Sequence, residues 1–352
     1  MKEEKKPTRS RALSMASPRD GSPPAGSSAP GQTDNASDAF ADPVFILTLP
    51  RSFSSVACAM LGQHPQMYGF PELHLFPVET AAEWWVRVGG KAPRLRDGLL
   101  RTIAQLYFQE QTDRTIALAR GWLRRRFHLT AAMLLEEFAV KVHPRVPVEK
   151  SASTVTLPQT LQHVHAMFPQ AHFIHLVRHP RGYGESIFKL LRRIKKDEAV
   201  PPWLTRLGFE SVADAQRAKN GRHAPEFDPQ QSWHERHMNI CRFLESVPEG
   251  QWLRVRGEDI LSNPDETLRA VAGWLGLRTD EEAIDAMKHP ERSPYACFGP
   301  ASARFGNDPI FLENPVLRPP CTEALRLDGP LSWRAQGFLP RVTRLAQQFG
   351  YE

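Results

Sequence analysis

No apolar run in the chain approaches the ~18 residues that a membrane-spanning helix needs, so no membrane span is expected. Cysteine is scarce: four among 352 residues, at positions 58, 241, 297 and 321, with no C-x-x-C pair. That spacing argues against a disulfide framework or a structural zinc site and for a reducing, cytoplasmic setting. No short period recurs, which excludes collagen-like and solenoid architectures. Met1–Lys6 is charged and leads into no apolar segment, so no secretory leader is expected. Charge of one sign is not dominant either. Lys and Arg number 45 against 39 Asp and Glu, and the net charge of +6 permits nucleic acid, a membrane surface or an anionic small ligand. Composition cannot choose among these.

Residues 1–41 are almost all Ser, Pro, Gly, Ala and charged residues. They cannot bury enough apolar surface to offset ordering entropy, so a disordered tail is expected, with a folded domain over 42–352. Order begins at Val44–Leu49, an apolar run bounded by Pro43 and Pro50 that reads as a buried parallel strand. Further strands are expected at Val146–Lys150, His172–Val177 and Trp252–Val255. Helices are expected at Ser54–Gln63, over a long stretch Arg94–Val140, and at Pro158–Phe168, Gly182–Ile194, Gln231–Val247, Pro264–Leu275, Asp280–Met287 and Leu331–Phe349. Pro290–Pro320 reads as irregular. Strands alternating with helices specify an α/β fold with a mostly parallel sheet. Ligands of such sheets bind beyond the carboxyl ends of the strands, near residues 49–55, 149–153 and 178–186.

The first of these ends carries Leu49-Pro50-Arg51-Ser52-Phe53-Ser54-Ser55 and runs straight into a helix. A helix N-terminus offers unpaired N–H groups, Arg51 a fork of charged donors, and Ser52, Ser54 and Ser55 hydroxyls: a set suited to phosphate or sulfate. The loop lacks both glycines and the lysine of a Walker A sequence, so Mg²⁺-dependent ATP chemistry loses its signature. A third strand end reads Leu176-Val177-Arg178-His179-Pro180-Arg181-Gly182, with Ser186 inside the following helix, where Arg and Ser could share a second phosphate. Gly184-Glu185-Ser186-Ile187-Phe188 lacks the last glycine of a G-x-S-x-G elbow, which argues against a serine hydrolase. Arg124-Arg125-Arg126 and Arg192-Arg193…Lys195-Lys196 lack interleaved aromatics, so no nucleic acid is expected as partner.

These segments together resemble the sulfotransferases that use 3′-phosphoadenosine 5′-phosphosulfate (PAPS). The Pro-Arg-Ser-x-[Ser/Thr]-[Ser/Thr] loop is similar to that family's 5′-phosphosulfate loop, and Arg178 with Ser186 to its 3′-phosphate motif. Val255-Arg256-Gly257-Glu258-Asp259, followed by a helix ending Trp274-Leu275-Gly276-Leu277, resembles a later segment of the family. The resemblance implies a three-layer, P-loop-like fold and PAPS as co-substrate without a metal. It implies that Arg51, Ser52, Phe53, Ser54 and Ser55 hold the 5′ end and Arg178 and Ser186 the 3′-phosphate. Phe53 stands where the common family form has Gly. The Arg-Lys-Gly element of the animal branch is absent, and the segment Arg304 to Pro309 takes its place by position and charge, with Arg304 and Gly306 as donor contacts. Glu72 falls where the protein-modifying branch carries its general base, a carboxylate able to accept the acceptor's hydroxyl proton. His74, His234 and His237 remain alternatives. Lys150 resembles the lysine of a Glu-Lys-[Ser/Thr]-Pro element, where with Arg51 it would offset charge developing on the sulfuryl group. A metal on His234 and His237 lacks further ligands.

The loop region and residues 293–315 resemble a bacterial branch that includes stand-alone enzymes and sulfotransferase domains of polyketide synthases. That branch implies a small or lipophilic hydroxylated acceptor, with an acyl chain on an acidic carrier protein as one form. Phe53, Phe70, Leu73, Phe76, Tyr295 and Phe298 are the candidate acceptor lining; packing in the core is the competing reading. Two other functions remain open. A P-loop-like kinase would phosphorylate from ATP, and a non-catalytic nucleotide-binding protein would bind without turnover.

Overall fold

Beta-branched and aromatic runs in the middle of the chain build a parallel sheet whose two faces are read off alternate residues. In the computed structural model, which describes residues 40–88, 93–191, 228–319 and 326–352, the elements begin with β1 (Val44–Leu47), α1 (Ser54–Leu61) and β2 (Met67–Gly69). After α2 (Ala81–Glu83), a π-helical turn (Trp84–Val88) and a 3-10 turn (Pro93–Arg96) come α3 (Asp97–Phe108), α4 (Asp113–Arg124) and α5 (Ala131–Val142). There follow β3 (Val146–Glu149), α6 (Pro158–Met167), β4 (His172–Val177), α7 (Pro180–Leu191), α8 (Pro229–Leu244) and β5 (Trp252–Arg256). The described chain closes with α9 (Gly257–Ser262), α10 (Pro264–Trp274), α11 (Glu281–Met287), α12 (Pro309–Glu313) and α13 (Pro340–Gln348). Nearly all of the tail expected over residues 1–41, and the basic run at 192–196, lie outside the described residues.

The strand order is β2-β3-β1-β4-β5, and every pairing is parallel. Val44 lies opposite both Val148 and His172, and Leu47 opposite His175. Phe45, Leu47, Phe173 and Val177 pack into one apolar layer under α3 to α8 and α13. Val44, Ile46, Val148, Ile174, Leu176 and Val255 pack into the other, under α1 and α9 to α11. This is the expected α/β architecture in three layers. The connection leaving β1 goes to one side of it, toward β2 and β3, whereas the connection leaving β4 goes to the other, toward β5. The loops after β1 and β4 therefore diverge at a topological switch point, where a crevice must open.

Three expectations need correction. The single stretch Arg94–Val140 is three helices, because Gln109 turns left-handed (φ 61°) and Thr112 and Thr130 cap new helices, Thr112 with a reciprocal Thr115 bond. The last helix begins at Pro340 rather than Leu331: a proline is preorganised for the first helical position, and Leu331 instead bridges Arg334. The edge strand β2 and the short α9 were not expected at all; three and six residues carry too little periodicity.

Candidate active site

The loop after β1 is fastened to β4 by Thr48, whose hydroxyl donates to the Leu176 carbonyl at 2.7 Å. Beyond it, Arg51 and Phe53 both take left-handed backbone, with φ of 68° and 65°. For residues other than glycine this costs about 1–2 kcal/mol each. Phe53 stands at the N-cap of α1 and supplies no side-chain acceptor, so the first-turn N–H groups are free to meet an anion. Ser54 and Ser55 face the crevice, and the buried Ser52 hydroxyl has no partner among the described residues. The Phe53 ring turns away from the crevice. It lies against the backbone of Gly257, where a Cβ would come within 2.5 Å of the ring, and the Arg178 guanidinium stacks 4.2 Å above its centroid.

The two halves expected to hold the donor meet here. Arg51 Nε donates to Ser186 Oγ at 3.1 Å, and Arg178 Nη1 donates to the Arg51 carbonyl. Trp233 Nε1 fixes the Arg178 carbonyl at 2.9 Å. Burial lowers the Arg178 pKa to about 10, against the opposing pull of Glu258, and the group stays cationic at neutral pH. Its Nε is buried without a partner among the described residues. Arg51 also pairs with Asp308, which caps α12 and whose own N–H donates to Ser55 Oγ. An orphaned hydroxyl, an orphaned guanidinium N–H and uncapped helix N–H groups suit an anion such as phosphate or sulfate.

Glu72 is held by backbone before its side chain is considered. Its N–H donates to the Gly306 carbonyl at 2.8 Å, and its own carbonyl lies 2.0 Å from where a Cβ on Gly98 would sit. Gly306, at φ 110°, packs on Gly98 in turn, where a Cβ would come within 2.9 Å of the Gly98 Cα, so these two glycines clamp Glu72. The carboxylate accepts from Lys150 Nζ at 3.1 Å and lies 3.4 Å from His74 Nε2. Burial alone would raise its pKa, but the Lys150 charge and then His74 pull it down to about 2. Lys150 is fully buried behind it and also donates to Ser55 Oγ at 3.0 Å. His74 Nδ1 meets Ser153 Oγ at 3.0 Å.

Glu72 and His74 open onto a cavity of about 520 Å³ together with Arg51, Ser54, Ser55, Asn307 and Asp308. Its apolar wall is Pro77, Val78, Val88, Leu95 and Leu190, and Arg87 and Arg236 also line it. None of the six residues expected to line an acceptor pocket does so. Phe70, Leu73, Phe76 and Tyr295 are buried in the core, where Tyr295 pairs its hydroxyl with that of Tyr68. Phe298 packs on Phe305 and under Arg304. Apolar composition marked these residues but could not separate core from cavity. Arg304 is exposed, and from its segment Asn307, Asp308 and Pro309 reach the cavity instead. His237 is fully buried against His175 at 2.8 Å and His234 is half-buried; neither lines the cavity. Among the described residues no group of three or more His, Cys, Asp or Glu could hold a metal, and the three described cysteines are free thiols.

A parallel sheet that presents a cationic, hydroxyl-rich loop and helix N-terminus at its switch point defines a P-loop-like protein built for an anionic ligand. Sequence comparison narrows the class: the profile of the sulfotransferase family matches residues 43–281, and the chain belongs to that family. Among solved structures, it is similar to the sulfotransferase domain from the curacin biosynthetic pathway, at 23% identity and TM-score 0.66, over 88% of this chain and 98% of that one. The sulfotransferase domain from the Synechococcus PCC 7002 olefin synthase matches at 25% identity and TM-score 0.63, over 88% and 94% of the two chains. No curated protein matches the chain. No helix among the described residues is long and apolar enough to cross a membrane.

Proposed function

We propose that the protein transfers a sulfuryl group from PAPS to the hydroxyl of a small or lipophilic acceptor, with a carrier-bound acyl chain as one form. The observation that carries this reading is the Arg51–Ser186 bond, which joins the two anion-binding segments beside a cavity containing Glu72. Bound PAPS supplies an activated sulfuryl group. Arg51, the α1 N–H groups, Ser52, Ser54 and Ser55 hold its 5′ end, and Arg178 and Ser186 its 3′-phosphate, each charge-assisted bond contributing roughly 1.5–3 kcal/mol. Glu72, ionised at neutral pH, accepts the proton of the acceptor hydroxyl. Lys150, touching both Glu72 and Ser55, couples the base to the phosphosulfate loop and offsets negative charge there. Gly306 supports the site from outside the cavity, through the Glu72 backbone. The two solved neighbours come from biosynthetic-pathway enzymes, and the apolar cavity wall agrees with an acceptor more lipophilic than a sugar.

The test is incubation with labelled PAPS and four acceptors: a β-hydroxyacyl carrier protein, a free hydrophobic alcohol, a tyrosine peptide and an oligosaccharide. Label on the first or second is the expected result. Preference for the peptide or oligosaccharide would refute the acceptor class but keep sulfuryl transfer. Transfer of phosphate from labelled ATP, with none from PAPS, would establish the kinase alternative.

A further inference from the structure

The cavity contains a cation that sulfuryl transfer to a simple alcohol does not require. Arg236 on α8 is only 8% exposed, yet it lines the cavity, and no hydrogen bond or ion pair engages it among the described residues. Arg101, another buried arginine but outside the cavity, shows how such a group is ordinarily satisfied: it donates to the Phe305 carbonyl at 2.7 Å and to Gln111. A guanidinium is cationic at any physiological pH, and withdrawing it from water without a counter-charge is costly. Arg236 is thus a preformed half of an ion pair.

It shares the cavity with Arg51, Ser54 and Ser55 of the proposed 5′ site but lies apart from the proposed 3′-phosphate contacts. Arg178 and Ser186, which hold the 3′-phosphate in the proposed function, do not line this cavity, whereas Glu72 and His74 do. Arg236 shares the cavity with the apolar wall of Val78, Val88, Leu95 and Leu190. Arg87, exposed on the π-helical turn, adds a second positive charge to the lining without a partner among the described residues.

We propose that Arg236, assisted by Arg87, binds an acid group on the acceptor itself. The acceptor is then an amphiphilic hydroxy acid: an apolar stretch against Val78, Val88 and Leu95, a hydroxyl at Glu72, and a carboxylate or phosphate at Arg236. This deepens the sulfotransferase reading and rests on it for the role of the hydroxyl. A carboxylate would belong to a free hydroxy acid, and a phosphate to a phosphorylated acceptor or a phosphorylated tether.

Binding in the presence of 3′-phosphoadenosine 5′-phosphate (PAP), measured by calorimetry, tests the inference without turnover. The probes are octane-1,3-diol, 3-hydroxyoctanoate and 3-hydroxyoctyl phosphate, with PAP affinity measured in parallel. The wild-type protein should bind at least one acid about tenfold or more tighter than the diol, and the tighter acid identifies the source. Arg236→Gln should abolish that preference, Arg236→Lys should retain part of it, and Arg87→Gln should reduce it less. Equal affinity for diol and acids, or no binding of either acid, overturns the proposal. So does an Arg236→Gln variant that keeps the preference and loses PAP affinity, because Arg236 would then serve the donor. If Arg236→Gln does not fold, the wild-type comparison of acids with diol decides alone. Absence of label transfer from PAPS would refute the proposed function but leave this binding result standing.

Discussion

Arg51 reaches 3.1 Å to Ser186, tying the loop after β1 to a helix 135 residues further along the chain. Because β1 and β4 are adjacent strands whose connections diverge, that contact, with the Arg178 bond to the Arg51 carbonyl, spans the mouth of the crevice.

Arg178→Ala should weaken PAP far more than 5′-AMP, by about 10–100-fold against a few-fold, since the assigned contact is to the 3′-phosphate. Calorimetry with both nucleotides checks this. Equal losses would remove Arg178 from that role.

Glu72→Gln keeps the shape and removes the proton affinity. Turnover should fall about 10²–10⁴-fold while PAP still binds. The folded pKa of Glu72, about 2, lies below its ordinary 4.5, so its ionic contacts stabilise the protein above pH 4.5 and are lost as pH falls toward 2. The profile of kcat/KM should accordingly show no acidic limb attributable to Glu72 between pH 5 and 8. A limb near the ordinary histidine range that vanishes in His74→Gln would transfer the base role to His74.

Asp308→Asn retains a helix cap but removes the charge facing Arg51. With Arg51 released from its internal carboxylate, PAP should bind severalfold more tightly. Weaker binding would mean that Asp308 holds Arg51 in its productive position instead of competing for it.

Gly257→Ala places a methyl against the Phe53 ring and should displace it from Arg178. Lower thermal stability and weaker PAP binding are expected. Phe53→Gly in the same chain should relieve both, since it removes the clash and suits the left-handed backbone. Strictly additive effects would show that the two positions are uncoupled.

Strands β1, β3 and β4 were legible because fully buried parallel strands are continuous apolar runs, and the loops at their ends carry unmistakable donors. The turn between α3 and α4 was not, because Gln109 adopts a conformation that its residue type does not announce. Phe53 is similar: its left-handed backbone is supported by a glycine more than two hundred positions away. Phe70 and Leu73 were read as possible lining because apolar residues near a site look alike whether they face a cavity or the core. Arg236 carries no signal in the sequence, since a lone arginine on a helix ordinarily points to water and only burial makes it informative.

The clamp on Glu72 bears on how this enzyme can be diversified. Gly98 and Gly306 touch no proposed substrate atom, yet either side chain would collide with backbone that cannot yield without moving the carboxylate. A library randomising the cavity wall can accept many residues at Val78, Val88 or Leu95, while these two positions outside it stay closed. The shape of the cavity wall is therefore free to drift, and the placement of the Glu72 carboxylate is not.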